Sequence, residues 1–268
     1  MKQIELKNLS KTYQLPQTQK GVFQRIKSFF LPVYLEKKAV CNLSFSINQG
    51  ECIAFLGANG AGKSTTIKML TGIMAPTGGS VRVCGKDPFH NRLENAAQIG
   101  VVFGQKTQLW WDIPVIDTFR LLKSIYQIPT EIYEQNISQF RELLELDDFL
   151  NQPARKLSLG QRVRADLAAA LLHDPPILFL DEPTIGLDVA VKQKIYQFLR
   201  KRHQKQHTTI LLTSHDLNDL ESLCDRLIIL EQGQLLFDDT MDKLFTAYPD
   251  GTTLETIVIE LFNRRTRL

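Results

Sequence analysis

Apolar and polar positions alternate at the start of the chain, where IELKNLSKTY sets Ile4 and Leu6 among polar neighbours. A period of two is the pattern of a half-buried strand, and Ser10 to Thr12 predicts a turn after it. Strand patterns resume at AVCNLSFSI (39–47) and, beyond a turn at Asn48 to Gly50, at ECIAFL (51–56). A helix follows over 63–72, and PTGGS interrupts the chain before VRVCG. Residues from about 109 to 172 read as helical, with breaks at IPT (128–130) and NQPARK (151–156). PPILFLDEP and HTTILLTSHD are short apolar runs bounded by turn or polar residues, and a long helix with a basic end (192–205) precedes the second. Strands that alternate with helices predict an α/β core with buried parallel strands, and the block at 109–172 reads as an inserted lobe.

Composition narrows the class without choosing a function. The chain has 268 residues, 43% of them apolar and 23% charged, which excludes collagen-like, disordered and disulfide-framework proteins. Cys41, Cys52, Cys84 and Cys224 form no CxxC pair, as expected of a reduced cytosolic interior. No signal-peptide core and no run of about 18 apolar residues occurs, so the expectation is a chain that does not itself span a membrane. The net charge of +3 is unevenly spread. Residues 20–38 carry five bases (Lys20, Arg25, Lys27, Lys37 and Lys38) and one acid, Glu36, a net of +4 that leaves −1 for the rest. That remainder lacks the footprint of a nucleic-acid binder.

GANGAGKST (57–65) fits G-x-x-x-x-G-K-[ST] directly after a strand pattern and at the start of a helix pattern, the context this motif requires. Gly57, Gly60 and Gly62, with Ala58, Asn59 and Ala61 between them, let successive backbone N–H groups face phosphate oxygens at a helix N-terminus. Lys63 would reach the β- and γ-phosphates, Ser64 would ligate Mg²⁺, and Thr65 and Thr66 would bond the α/β-phosphates. The strand pattern Ile177 to Leu180 delivers two acids to its carboxyl end. Asp181 would hold Mg²⁺ through its water shell, and Glu182 would act as general base or orient the attacking water. LSLGQ (157–161) opens another helix, where Ser158 and Gly160 make either an anion site or a simple cap.

Taken together these motifs resemble the ATP-binding subunits of ABC transporters over nearly the whole chain. The resemblance assigns Gln105 in VVFGQ to the Q-loop, where it would sense Mg²⁺ and γ-phosphate. Leu157, Ser158, Leu159, Gly160 and Gln161 become the signature that covers ATP held by a second subunit, Asp188 the D-loop acid, and His215 in LLTSHD the switch histidine. Tyr13 either stacks on adenine or closes a strand turn. The departures, Leu159 for the usual glycine and Ala58 for a frequent proline, remove no phosphate ligand. Ser214, His215 and Asp216 are too close in sequence to chain a hydrolase triad.

The resemblance implies a single domain (1–268): an α/β P-loop NTPase core with a mostly parallel sheet, an antiparallel β subdomain and an inserted helical subdomain (106–172). It also implies ATP and Mg²⁺ as cofactors, a head-to-tail homodimer and a permease at the cytoplasmic membrane face. KTQLWWDIPVIDTFRLLKSIY (106–126) and the C-terminal extension (234–268) most resemble subunits that energise export through ABC-2-type permeases. Hydrophobic or cationic toxic compounds are the cargo this subfamily points to. Trp110 and Trp111 are either interface anchors or core residues. Within the basic insertion at 20–38, Val22 or Phe23, Ile26, and Phe29 or Phe30 recur at helical spacing until Pro32 ends the run, the pattern of a short basic amphipathic helix. It lies either on the ATPase body or against a membrane or permease. A soluble ABC ATPase of ribosomes or DNA is the rival, but it usually carries two cassettes or a long coiled coil. A small-molecule kinase would have no use for LSLGQ.

Overall fold

The computed structural model describes residues 1–16, 34–104, 106–214, 216–249 and 251–265. Strands β1 (Lys2–Pro16) and β2 (Tyr34–Asn48) pair antiparallel, and β4 (Gly78–Val83) joins the other side of β1. Between β2 and β4 lie β3 (Cys52–Gly57) and helix α1 (Lys63–Leu70). Contrary to the turn predicted at Ser10 to Thr12, β1 runs on to Pro16. Register shifts around Leu6, Leu9 and Lys11 absorb the break in alternation, and Asn8 and Asn42 take left-handed φ values of 48° and 50° there. The local side chains hold this irregularity: Asn8 N–H donates to Ser44 Oγ at 2.8 Å and Asn42 N–H to Ser10 Oγ at 3.0 Å. Leu9 therefore stays buried opposite Leu43.

β2 begins at Tyr34, ahead of its apolar pattern, so the strand takes in the last residues of the basic insertion at 20–38, beyond the Pro32 that ends its helical pattern. Residues 34–38 are a strand, with Tyr34 to Lys38 paired to Pro16 to Thr12. Residues 20–33, where the amphipathic pattern sits, lie outside the described residues.

The second sheet has the order β5-β6-β7-β3-β8-β9. Its strands beyond β3 are β5 (Ile99–Phe103), β6 (Ile177–Asp181), β7 (Thr209–Thr213), β8 (Arg226–Glu231) and β9 (Gln234–Thr240). All neighbours are parallel except β8 and β9. Both faces are covered, so β3, β6, β7 and β8 read as continuous apolar runs, yet their side chains still alternate. Cys52, Ala54, Leu178, Leu180, Ile210, Leu212, Leu227 and Ile229 pack toward the helices. Ile53, Phe55, Ile177, Phe179, Leu211, Ile228 and Leu230 pack toward the antiparallel sheet. Each fully buried aliphatic side chain contributes about 1.5–3 kcal/mol, so two cores sharing one sheet fix its strand ends firmly. Those ends carry the site.

Helix α2 (Arg92–Gln98) precedes β5, and α3 (Val115–Ile125), α4 (Thr130–Leu143), a 3₁₀ turn (Ala154–Lys156) and α5 (Leu159–Leu171) separate β5 from β6. The breaks fall where IPT and NQPARK predict them. The remaining helices are α6 (Val189–Gln206), α7 (Leu217–Leu223), α8 (Met241–Thr246) and α9 (Leu254–Arg265). α9 buries Leu254, Ile257 and Val258. All four cysteines are free, with Cys52 and Cys224 Sγ atoms 3.6 Å apart in the core. Among the described residues no helix is long and apolar enough to cross a membrane.

Candidate functional site

The loop from β3 to α1 is built so that no side chain fills it. Gly57 (φ 151°) and Gly62 (φ 104°) occupy conformations that favour glycine. A Cβ on Gly57 would lie 2.4 Å from the Leu230 carbonyl oxygen, and one on Gly62 would lie 2.5 Å from that of Ala39. Thr66 N–H and Thr66 Oγ1 both donate to the Gly62 carbonyl, closing the first turn of α1. Lys63 is 9% exposed and turns back to donate to the carbonyls of Gly57 (2.5 Å) and Ala58 (3.4 Å). Burial pushes its ammonium below the usual lysine range, while the charges of Glu182 and Asp181 act in the opposite direction. An ammonium held against backbone carbonyls with two carboxylates nearby is a cation waiting for better oxygen ligands.

The acid pair stands at the end of β6. Thr213, fully buried at the end of β7, donates its hydroxyl to Asp181 Oδ1 at 2.9 Å. The hydroxyl oxygen, Thr213 Oγ1, in turn accepts the Glu182 backbone N–H at 2.9 Å. Glu182 has φ 55°, a left-handed conformation uncommon for glutamate, and this backbone bond helps to hold it. Gly104, at the end of β5, donates its N–H to the Asp181 carbonyl at 2.8 Å, and a Cβ there would lie 2.2 Å from the Glu182 carbonyl. Gly104 thus packs the chain leading to Gln105 directly onto the acid pair.

One cavity of about 410 Å³ gathers Tyr13, Asn59 to Thr65 and Glu182, a volume within the usual range for a small-molecule site. The Tyr13 hydroxyl lies 3.3 Å from Thr65 Oγ1 and from Met74 Sδ, which ties the strand-borne ring to α1. Leu15, Lys37 and Ala39 line the same cavity. Glu182 also lines a second cavity of about 450 Å³ with Gly186, Lys192, Ser214 and Asp216.

The signature residues are elsewhere: none of Leu157 to Gln161 lines the phosphate-loop cavity. Ser158 caps α5, with Gln161 N–H donating to Ser158 Oγ (3.2 Å) and Ser158 N–H to Gln161 Oε1 (2.9 Å). Further along α5, Asp166 Oδ1 accepts Thr107 Oγ1 (2.8 Å) and Gln108 N–H (2.9 Å), joining the signature helix to the segment just after Gln105. Asp188 caps α6 by accepting Val191 N–H at 2.9 Å. Lys192, one turn on, pairs with Asp216 at 3.3 Å. Gln105 and His215 themselves lie outside the described residues.

Comparison with known proteins decides the family. The family model described as ABC transporter matches residues 40–185, over half of the chain. The chain belongs to the ABC transporter family, as an ATP-binding subunit. Among other ABC proteins it is 31% identical to the ABC transporter ATP-binding protein NatA of Bacillus subtilis, over 78% of this chain and 84% of that protein. It is 36% identical to a Nod factor export ATP-binding protein I of Burkholderia orbicola, over 75% of this chain and 66% of that one. The chain spans about two thirds or less of the length of several curated relatives it matches. The ATP-binding cassette MJ0796, in a dimeric post-hydrolysis structure bound to ADP and Pi, superposes with a TM-score of 0.73 and 26% identity, over 89% of this chain and 98% of that one.

Within this ABC fold the sequence reading misses three residues that the structure puts at the site. Thr213 lies inside LLTSHD with no role that the motif assigns, Gly104 reads as an ordinary loop glycine, and Lys37 belongs by sequence to the basic insertion. Trp110 and Trp111 are 50% and 51% exposed, so neither is a core residue.

Proposed function

We propose that this chain binds and hydrolyses ATP to drive export through a separate ABC-2-type permease. The observation that carries the reading is the meeting of Lys63, the open phosphate loop, Tyr13 and the acid pair Asp181 and Glu182 around one cavity. The glycine cradle and the oxygen donors Ser64 and Asp181 fit a Mg²⁺-nucleotide, which would supply electrophilic assistance at the phosphates when bound. Lys63 then leaves the Gly57 and Ala58 carbonyls for phosphate oxygens. Tyr13 supports the base, and Glu182 orients the attacking water or takes its proton. Gln105 and His215 serve at the γ-phosphate side.

The signature of the same chain stays away from this cavity, which supports a head-to-tail dimer in which Ser158 and Gly160 of a second copy close the site. The dimeric state of the MJ0796 cassette supports the same arrangement. The half-exposed Trp110 and Trp111 lie just beyond the Q-loop segment and suit a contact with the permease at the cytoplasmic membrane face. The names of NatA and the Nod factor export proteins support a transport subunit, and the latter favour export. We assign residues 106–172 to the helical subdomain and 234–268 to a C-terminal extension of one ATPase domain.

The test is Glu182→Gln. Turnover of ATP should fall by about 10²-fold or more while ATP still binds and the ATP-bound dimer becomes persistent in gel filtration. Wild-type turnover in that variant would remove Glu182 from the role assigned to it.

A further inference from the structure

We propose that Lys37 is a second cation of the nucleotide site, closing on the α-phosphate of a nucleotide whose base lies on Tyr13. The inference rests on the nucleotide-binding reading above and adds a residue that the phosphate-loop pattern does not contain.

Lys37 and Tyr13 are direct partners in the ladder between β2 and β1. Directly opposed residues of an antiparallel pair project from the same face, and alternate residues along each strand share it. Tyr13 and Leu15 therefore share a face with Lys37, and together with Ala39, the extra residue at the register shift between Lys11 and Thr12, they line the phosphate-loop cavity. Ala39 fixes the approach, because its carbonyl oxygen is the atom that a Cβ on Gly62 would meet. Lys37 stands two residues back along the strand, about 7 Å toward the base end. Its four-carbon stem and compact ammonium suit a reach to a phosphate oxygen.

Charge points the same way. Lys63 and the Mg²⁺ ligands serve the β- and γ-phosphates, which leaves the α end of the nucleotide without a cation in the expected set. Lys37 is exposed, and among the described residues its side chain makes no ion pair or hydrogen bond. Glu36 is out of phase with it on the ladder, opposite Gln14. The basic charge at this position is thus available to the cavity, whatever the rest of the basic segment does.

The experiment measures equilibrium binding of ATP, ADP and adenosine to the full chain and to Lys37→Ala, Lys37→Glu, Lys37→Arg and Tyr13→Ala, with circular dichroism confirming each fold. Lys37→Ala should weaken ATP and ADP alike by about fivefold and leave adenosine unchanged. Lys37→Glu should weaken both nucleotides further, and Lys37→Arg should recover most of the loss. The difference between wild type and Lys37→Ala should shrink as salt rises. Tyr13→Ala should instead weaken all three ligands. Unchanged ATP and ADP affinity in Lys37→Ala, or an equal loss for adenosine, would overturn the proposal and leave the nucleotide site standing. A wild-type chain that holds no ATP would bring down the nucleotide reading and this inference with it.

Discussion

Thr213 gives its hydroxyl proton to Asp181 across the β6 and β7 strand ends, and its hydroxyl oxygen receives the backbone N–H of Glu182. One fully buried hydroxyl therefore orients the carboxylate expected to face Mg²⁺ and the backbone that aims the expected base. The left-handed φ of Glu182 makes that second bond the more consequential.

Thr213→Val keeps the shape and removes the hydroxyl. Asp181 Oδ1 then loses a donor in a low-dielectric setting, and Glu182 N–H keeps only the longer bond to the Thr213 carbonyl at 3.2 Å. Stability should fall by about 1–3 kcal/mol in urea unfolding. ATP turnover should fall by about tenfold to a hundredfold, as expected when a reacting group is displaced by a fraction of its productive geometry. Thr213→Ser should restore both quantities. If Thr213→Val turns over ATP at the wild-type rate, the hydroxyl does not position the acids.

Gly60 and Gly62 separate two reasons for glycine in one loop. Both have positive φ, 83° and 104°, but a Cβ on Gly60 meets nothing within 4 Å, whereas one on Gly62 meets the Ala39 carbonyl at 2.5 Å. Gly60→Ala should cost only the backbone term, about 1–2 kcal/mol. Gly62→Ala adds a collision with backbone, so it should cost about 1–3 kcal/mol more and shift β2 away from α1. Because β2 carries Ala39 and Lys37, ATP affinity should suffer more in Gly62→Ala than in Gly60→Ala. Equal melting temperatures for the two variants would show that the approach of β2 to the loop is not tight.

How much of the fold is legible in the sequence follows from how local each signal is. β3, β6 and β7 are readable because a strand buried on both faces is an unbroken apolar run, and the phosphate loop because its glycines, lysine and hydroxyls are consecutive. Helix α2 is too short to show a helical period, so RLENAAQ gives no signal. β2 reads short because Leu35 to Lys38 are exposed and mostly charged; only pairing with β1 makes them strand. Thr213, Gly104 and Lys37 acquire meaning from partners far away in sequence. The Asp181 oxygen that Thr213 holds is 32 positions earlier, and no pattern within either segment encodes that register. β8, by contrast, carries a legible apolar run in LIIL that the strand reading passes over.

Asp166 ties α5, whose N-terminus is the signature, to Thr107 and Gln108 beside the Q-loop, and it does so from a position only 5% exposed. Burial is the dominant influence and lifts its carboxyl to about 6, against the lowering effect of the bonds from Thr107 and Gln108 and of the Arg162 charge. The folded value lies above the unfolded one of about 3.9, so the native chain holds this proton more tightly than the unfolded chain does. The stabilisation from that proton is fully present below about pH 4 and is lost as pH rises through about 6. The substitution Asp166→Asn keeps an Oδ1 that accepts both bonds and leaves no charge to desolvate. Relative to wild type, that variant should therefore gain up to about 3 kcal/mol between about pH 4 and pH 7, the value of a two-unit shift. Urea unfolding at a series of pH values checks it, and a stability difference that stays flat across that window would mean that Asp166 carries its charge in the folded protein without cost.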